Sequence, residues 1–375
     1  MGCVCACAVD SSGDVAASIR ELDCESGQSW YQDVSGPVDS TAIDGEPASF
    51  TAAIDRSVTL IEKAFAPQIC GIGRLLTENQ RLAIKLAKRI NASVDWTWND
   101  RQLESVERFQ KLGSVSCSLG EIRNADLLVS WDCDVSGVAP LFRHHFVSDA
   151  AICLTTDSDA DTRQRMAIEL RETFQAFDEK DKPTGEFAKL ARAITSSAYC
   201  VFLIDSATGC SNREFELVHR MVVALNSVTQ VRLVDLATHD NFRGAEEAMT
   251  WLTGYPAAVR LSENREPEYD PQRFGTCQVL ADSKSDLLII FGRLDDAGMS
   301  ESAKSRLETI SRIEITSQKS AISRPADVLN GVSHDLNLTG TFFRGDGIPF
   351  QTNSSLDDQQ PSTRIVLETL LAKFA

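Results

Sequence analysis

The stretch Leu119 to Pro140 reads LGEIRNADLLVSWDCDVSGVAP. It opens with a short polar, helix-compatible piece, Leu119–Asn124, and Ala125-Asp126 then leads into the apolar run Leu127-Leu128-Val129-Ser130-Trp131. The run is too short for a typical helix and reads as a strand buried on both faces, the kind found in parallel sheets. It stops at Asp132-Cys133-Asp134, with Gly137 and Pro140 beyond. The polar loop at a parallel strand's carboxyl end is where open α/β sheets bind ligands. A core strand with a merely polar exit satisfies the local pattern as well.

The same alternation extends in both directions. Phe50, Ile54, Val58, Ile61 and Phe65 make one helical stripe, which Pro67 ends. Gln68–Gly73 reads as a short strand running into glycines, and Thr77-Glu78-Asn79-Gln80 as a capping box opening a helix. Gly71-Ile72-Gly73 between them suits either a phosphate cradle or a plain tight turn. Downstream, strands are expected at Ala150–Leu154, Tyr199–Ile204, Val231–Leu236, Leu287–Gly292, Arg312–Thr316 and Ala326–Leu329. Helices are expected around Arg163–Phe177, after a capping box at Ser211–Glu214, and over Ser362–Phe374. Alternating strand and helix without hairpin signals predicts α/β packing on parallel sheets, here two Rossmann-like units.

Composition narrows the function classes. The chain has 375 residues, 43% hydrophobic and 24% charged, ordinary for a soluble globular protein of two or three packed units. A net charge of −17 disfavours nucleic acid and anionic membrane as partners, because both need a basic face. No apolar run approaches the ~20 residues of a membrane span. The start lacks a secretory pattern, and Ala6 breaks the myristoylation motif that Met1-Gly2-Cys3 suggests, so a cytoplasmic location is expected.

Chemistry-bearing clusters are few. Among 11 cysteines, Cys70, Cys117, Cys133, Cys153, Cys200, Cys210 and Cys277 are scattered, several in apolar strand-like runs where Cys acts as a small hydrophobe. Cys3, Cys5, Cys7 and Cys24 lie near the N-terminus. An iron–sulfur site needs about four converging thiolates, and alternating cysteines are a poor version of the usual spacing. The segment Gln28–Pro47 reads as a linker. The five histidines form no metal motif, and the adjacent His144 and His145 read as a loop pair. No G-x-S-x-G elbow is present.

Three segments carry a family resemblance. Leu119-Gly120-Glu121-Ile122-Arg123-Asn124 with Ala125-Asp126 and Trp131 resembles a segment of the B subunit of formylmethanofuran dehydrogenase, a molybdopterin oxidoreductase. Asn241–Gly244, Trp251-Leu252-Thr253-Gly254-Tyr255-Pro256-Ala257-Ala258-Val259 and Pro267–Pro271 resemble a second, and Gly340-Thr341-Phe342-Phe343-Arg344-Gly345-Asp346-Gly347 a third. The same segments occur in the B subunit of the formyltransferase/hydrolase complex, a relative without redox chemistry. The resemblance covers the chain in order. It implies an inserted unit, 94–184, within a discontinuous one, 46–93 plus 185–375, after an N-terminal segment 1–45.

The resemblance also says what a redox subunit needs. Its relatives hold molybdenum or tungsten on two pterins plus one protein Cys or selenocysteine, followed by a proton-moving His. The corresponding stretch here, Ser93–Asp100, contains neither Cys nor His but two tryptophans, Trp96 and Trp98. The family's N-terminal C-x2-C-x3-C-D-D is broken too. With Asp10 at the first acidic place, Val9 and Gly2 stand where cysteines belong; Cys5 alone of the three keeps register, with Cys24 as the candidate for the fourth, downstream place. Cys3, Cys5, Cys7 and Cys24 therefore read as a degenerate [4Fe–4S] remnant, and no catalytic or cofactor-binding residue is assigned. The expectation is a non-redox structural subunit of a formyltransferase/hydrolase complex, without cofactor. Its partners would be an amidohydrolase-like hydrolase, a formyltransferase and a C subunit. The alternative is a formylmethanofuran dehydrogenase subunit using a molybdenum or tungsten pterin and [4Fe–4S].

Overall fold

The computed structural model describes residues 40–97, 100–113, 115–133, 147–148, 151–156, 158–175, 187–204, 211–236, 241–292, 299–317, 322–335, 338–343, 347–352 and 361–375. Cys3, Cys5, Cys7 and Cys24, the Trp98 position, Asp134, Gly137, Pro140, His144, His145, Cys210, His239 and Arg344–Asp346 lie outside them. The chain divides into two compact units: Glu107–Thr238, and the segments that flank it up to Val106 and from His239 onward.

The flanking unit begins with β1 (Ala42–Ile43) and β2 (Glu46–Pro47). They pair through a two-residue turn, Asp44-Gly45, with both residues at positive φ. Asp-Gly suits such a turn because Gly has no Cβ to strain and Asp tolerates the left-handed region. Part of the sequence read as linker is thus a hairpin. The helix Phe50–Lys63 follows, capped by the Ser49 hydroxyl, and then β3 (Pro67–Cys70), the helix Thr77–Arg89 and β4 (Ser93–Asp95).

The other unit holds a single four-stranded sheet. After the helix Asp100–Leu112, a 3₁₀ turn over Leu119–Asn124 is closed by a capping box between Ser118 and Glu121. It delivers the chain into β5 (Leu127–Trp131). β6 (Ile152–Thr156), β7 (Tyr199–Ile204) and β8 (Gln230–Asp235) join it in the order β6-β5-β7-β8, all parallel. Helices Ala160–Gln175, Ala188–Ser196 and Asn212–Leu225 connect them. Leu127, Val129 and Trp131 pack with Phe202, Ile204, Phe174 and Met221 in one core. Each such side chain removed from water contributes roughly 2 kcal/mol. β6 is the edge, and Ile152 and Cys153 in it are exposed. β7 pairs with β5 and β8 with β7, so residues 187–235 belong to this unit, beyond the 184 boundary that the resemblance implies.

The chain then returns to the flanking unit. The helix Phe242–Thr253 leads to β9 (Val259–Ser262) and β10 (Arg265–Tyr269), an antiparallel hairpin whose register slips around Pro267. Short helices Pro271–Phe274 and Thr276–Ala281 follow, then β11 (Leu287–Phe291), helix Glu301–Leu307, β12 (Ser311–Thr316), β13 (Val328–Gly331), the small sheet β14 (Gly340–Phe343) with β15 (Pro349–Thr352), and helix Thr363–Lys373. The nine-stranded sheet runs β10-β9-β4-β3-β11-β12-β13-β1-β2. Its centre is parallel and both ends are antiparallel. Side chains alternate across a strand. Leu287, Ile289 and Phe291 accordingly enter one core and Leu288 and Ile290 the other, with Cys70 and Cys277.

The fold is therefore mixed α/β with largely parallel sheets. The expectation of no hairpins is corrected at three places: Asp44-Gly45, Glu263-Asn264 and the β14–β15 pair. The third signature's Gly340–Phe343 is strand rather than turn.

Candidate functional site

At the carboxyl end of β4 the chain presents Asp95, Trp96 and Thr97, all buried. Asp95 Oδ2 accepts from Thr97 Oγ1 at 2.5 Å, Thr276 N at 2.9 Å and Thr276 Oγ1 at 3.1 Å. Its Oδ1 accepts from Thr97 N at 3.2 Å. Burial pushes this carboxyl above the usual aspartate range, and the threonine hydrogen bonds pull the other way. Trp96 donates to the Pro256 carbonyl at 2.8 Å, and its ring lies 5.4 Å from that of Phe242. Here the resemblance implies a soft thiolate beside an imidazole. The chain instead offers a carboxylate saturated by donors and an indole packed in the core. A molybdenum or tungsten pterin needs neither, so residues 93–97 do not fit that group.

The second and third signature segments converge on a buried cluster in the flanking unit. Asn241 Nδ2 donates to Leu75 O at 2.7 Å, and its Oδ1 accepts from Phe343 N at 2.7 Å. Gln80 Nε2 reaches the carbonyls of Ile72, Leu75 and Asn241 at 3.0–3.1 Å. Glu78 accepts from Thr341 N at 2.9 Å and Thr341 Oγ1 at 2.8 Å. Asp335 Oδ2 accepts from Leu76 N and Asn79 Nδ2, each at 2.8 Å. The Thr77–Gln80 capping box read from sequence is therefore absent. The helix begins at Thr77 with Leu76 at its cap, and the buried Asp335 takes the free N–H instead. That also decides the Gly71-Ile72-Gly73 alternative. A 3₁₀ turn, Ile72–Arg74, starts after Gly71 and includes Gly73, the helix N-terminus beyond it is occupied, and a Cβ on Gly73 would lie 2.1 Å from the Phe242 ring. It is a tight turn under close packing.

Two glycines in the signatures, Gly244 and Gly340, have the same cause, and Gly254 has another. A Cβ on Gly244 would lie 2.3 Å from Asn241 Oδ1, and one on Gly340 2.8 Å from Glu78 Oε2. In the Thr253–Pro256 turn, Gly254 ends its helix at φ 84, and Tyr255 stacks on Tyr269 with centroids 4.9 Å apart. The second and third signatures pack within the flanking unit and tie its segments together.

At the carboxyl end of β5, where a ligand is expected in an open sheet, an ion network is buried. Arg163 Nε donates to Glu214 Oε1 at 2.6 Å and its Nη2 to Glu214 Oε2 at 3.3 Å. The same Nη2 meets Asp132 Oδ2 at 2.5 Å, and Nη1 donates to Ser158 O. Trp131 Nε1 donates to Glu214 Oε1 at 3.0 Å. All three guanidinium nitrogens are engaged, and Asp132 sits at φ 46, ending the strand. The Ser211 box is half realised: Ser211 Oγ caps Glu214 N, but the Glu214 carboxylate turns inward to Arg163. Sequence reading missed Arg163, Glu214, Asn241 and Asp335 as buried partners. The available signal was a charged residue falling on an otherwise apolar helical face, as Glu214 does before Phe215 and Val218.

The remaining candidates are scattered. Cys70, Cys133, Cys200 and Cys277 are buried, and burial raises the thiol pKa of Cys70 and Cys200. Cys117 is half-buried against Tyr199. His219 Nε2 lies 3.2 Å from Gly113 O. Among the described residues no three His, Cys, Asp or Glu side chains are grouped to hold a metal, and no helix is long and apolar enough to cross a membrane.

No family model matches the chain. It is 22% identical over 368 residues to the B subunit of the tungsten-containing formylmethanofuran dehydrogenase 2 of Methanocaldococcus jannaschii, covering 88% of this chain and 84% of that protein. The Methanococcus maripaludis protein of the same description is 23% identical over 349 residues, covering 82% and 79%. The crystal structure of the formyltransferase/hydrolase complex from Methylorubrum extorquens with methylofuran contains a chain of similar fold. Its TM-score is 0.72 at 19% identity, covering 89% of this chain and 98% of that one. The likeness extends over most of this chain and of the two relatives: the chain is homologous to the formylmethanofuran dehydrogenase B subunit.

Proposed function

We propose that this chain is the non-redox, structural B subunit of a formyltransferase/hydrolase complex in methanopterin- and methanofuran-linked one-carbon metabolism. Its partners are an amidohydrolase-like hydrolase subunit, a formyltransferase subunit and a C subunit, in the cytoplasm, and its two α/β units are Rossmann-like. It binds no molybdenum or tungsten pterin and no iron–sulfur cluster. The observation that carries this reading is the buried Trp96 and the donor-saturated Asp95 in the stretch that, by the resemblance, corresponds to the soft metal ligand of the redox relatives. The structural neighbour, a formyltransferase/hydrolase complex, supports the choice over the redox alternative. The two tungsten enzymes support homology but not retention of their metal.

A scaffold needs surface rather than a cleft. A stable interface buries about 1,600 Å² in total, which a chain of this size supplies readily. The test is co-expression of the other three subunits with and without this chain. The reading expects assembly and formyl transfer only when it is present. Full assembly and turnover in its absence exclude the scaffold role.

A further inference from the structure

On the flanking unit, a groove of about 540 Å³ lies between the helices Thr77–Arg89 and Thr363–Lys373, the end of helix Phe242–Thr253 and the β9–β10 hairpin. Five cations line it: Arg81, Lys85, Lys88, Arg265 and Arg364. All five are exposed. None forms an ion pair with a carboxylate among the described residues. Other cations of the same two helices are paired, Arg89 with Glu263 and Lys373 with Asp55. Only two acids, Glu78 and Glu368, line the groove, and Glu78 is committed to Thr341. On a chain of net charge −17 this is a local reversal of sign.

The cations are spread rather than focused. Arg81, Lys85 and Lys88 follow one helix face over about 10 Å at 1.5 Å per residue. That spacing matches a series of carboxylates better than one compact anion. Apolar surface adjoins them: Leu252 in the groove wall is 48% exposed, and Trp251 beside it 67%. Exposed Trp next to cations is the composition of a protein contact with a hot spot. The overall negative charge opposes nucleic acid.

We propose that this groove docks an acidic segment of a partner polypeptide, its carboxylates against the five cations and an apolar side chain on Leu252 and Trp251. This rests on the reading of the chain as a subunit of a heteromeric complex. The test uses the full chain co-expressed with the hydrolase, formyltransferase and C subunits, as wild type and as Arg81→Glu/Lys85→Glu/Lys88→Glu. Lys85→Gln/Lys88→Gln serves as a milder variant should the triple change unfold the chain, which circular dichroism reports. In parallel, a fluorescein-labelled Glu/Leu-rich peptide is titrated into each full chain by anisotropy, with a Lys/Leu-rich peptide as control.

The proposal expects the charge-altered chains to fold but lose co-purifying partner. It also expects the acidic peptide to bind wild type in a salt-sensitive way and the reversed groove at least about tenfold more weakly. Folded variants that assemble undiminished, or equal binding of the basic peptide, overturn it. If wild type itself fails to assemble with those subunits, the complex reading fails first and takes this proposal with it.

Discussion

The indole N–H of Trp96 donates to the carbonyl of Pro256 at 2.8 Å. This bond ties the exit of β4 to the turn that ends helix Phe242–Thr253, two segments 160 residues apart. The position that faces a metal in redox relatives, as the resemblance implies, here faces protein. Trp96→Phe keeps much of the ring packing but leaves a carbonyl without its donor, which costs about 1–3 kcal/mol. Denaturant unfolding should show that loss, while the assembled complex keeps its formyl-transfer activity. Loss of turnover with assembly intact would mean that Trp96 has a catalytic part.

Arg163 and Glu214 are both buried, with Asp132 completing the network. Removing one partner strands a buried charge. Arg163→Met should destabilise the chain by about 3–5 kcal/mol, and adding Glu214→Leu should restore much of it. A double-mutant cycle by urea unfolding measures this; simple additivity of the two losses would show that the pair is not coupled.

Gly244 lies against Asn241, whose side chain joins Leu75 to Phe343. Gly244→Ala pushes a methyl into that amide and should cost about 1–3 kcal/mol, despite alanine's better helix propensity. A thermal shift that rises instead of falling would contradict the assignment of this glycine to close packing.

Asp95 and Asp126 should give stability opposite pH dependences. Burial raises the Asp95 carboxyl pKa in the fold, with Thr97 and Thr276 opposing. Between the ordinary and the raised pKa the folded chain binds more protons, so this contribution falls as pH rises through that window and is flat above it. Burial would also raise Asp126, but the N–H groups of Ala198 and Tyr199 outweigh it and its pKa is lowered. Its contribution is present above the ordinary aspartate pKa and is lost as pH falls through the lowered one. Stability measured from strongly acidic to neutral pH should show Asp126→Asn removing a rise with pH below the ordinary aspartate pKa and Asp95→Asn removing a fall with pH above it. Equal slopes would refute both.

The elements were legible where pattern is local. The buried run Leu127–Trp131, the Ser211 cap and the final helix after Ser362 lie where periodicity and capping place them. Asp44-Gly45 was an available hairpin signal and went unread. Pairing was not legible, because nothing in Tyr199–Ile204 says that its neighbour is Leu127–Trp131 rather than a strand of the larger sheet. The polar core was hidden for the same reason. Asp335 caps a helix 259 residues away at Leu76, where no local window reaches. The motif glycines could be seen as motifs, but their cause, the side chains of Phe242, Asn241 and Glu78, appears only in three dimensions.

The most direct test is the metal and pterin content of the complex purified anaerobically with this chain in place. The account predicts no stoichiometric molybdenum or tungsten, no extractable pterin, and no iron–sulfur signal by absorption and EPR after reconstitution. Stoichiometric metal with an extractable pterin, or about four irons per chain lost on Cys5→Ala, would contradict it.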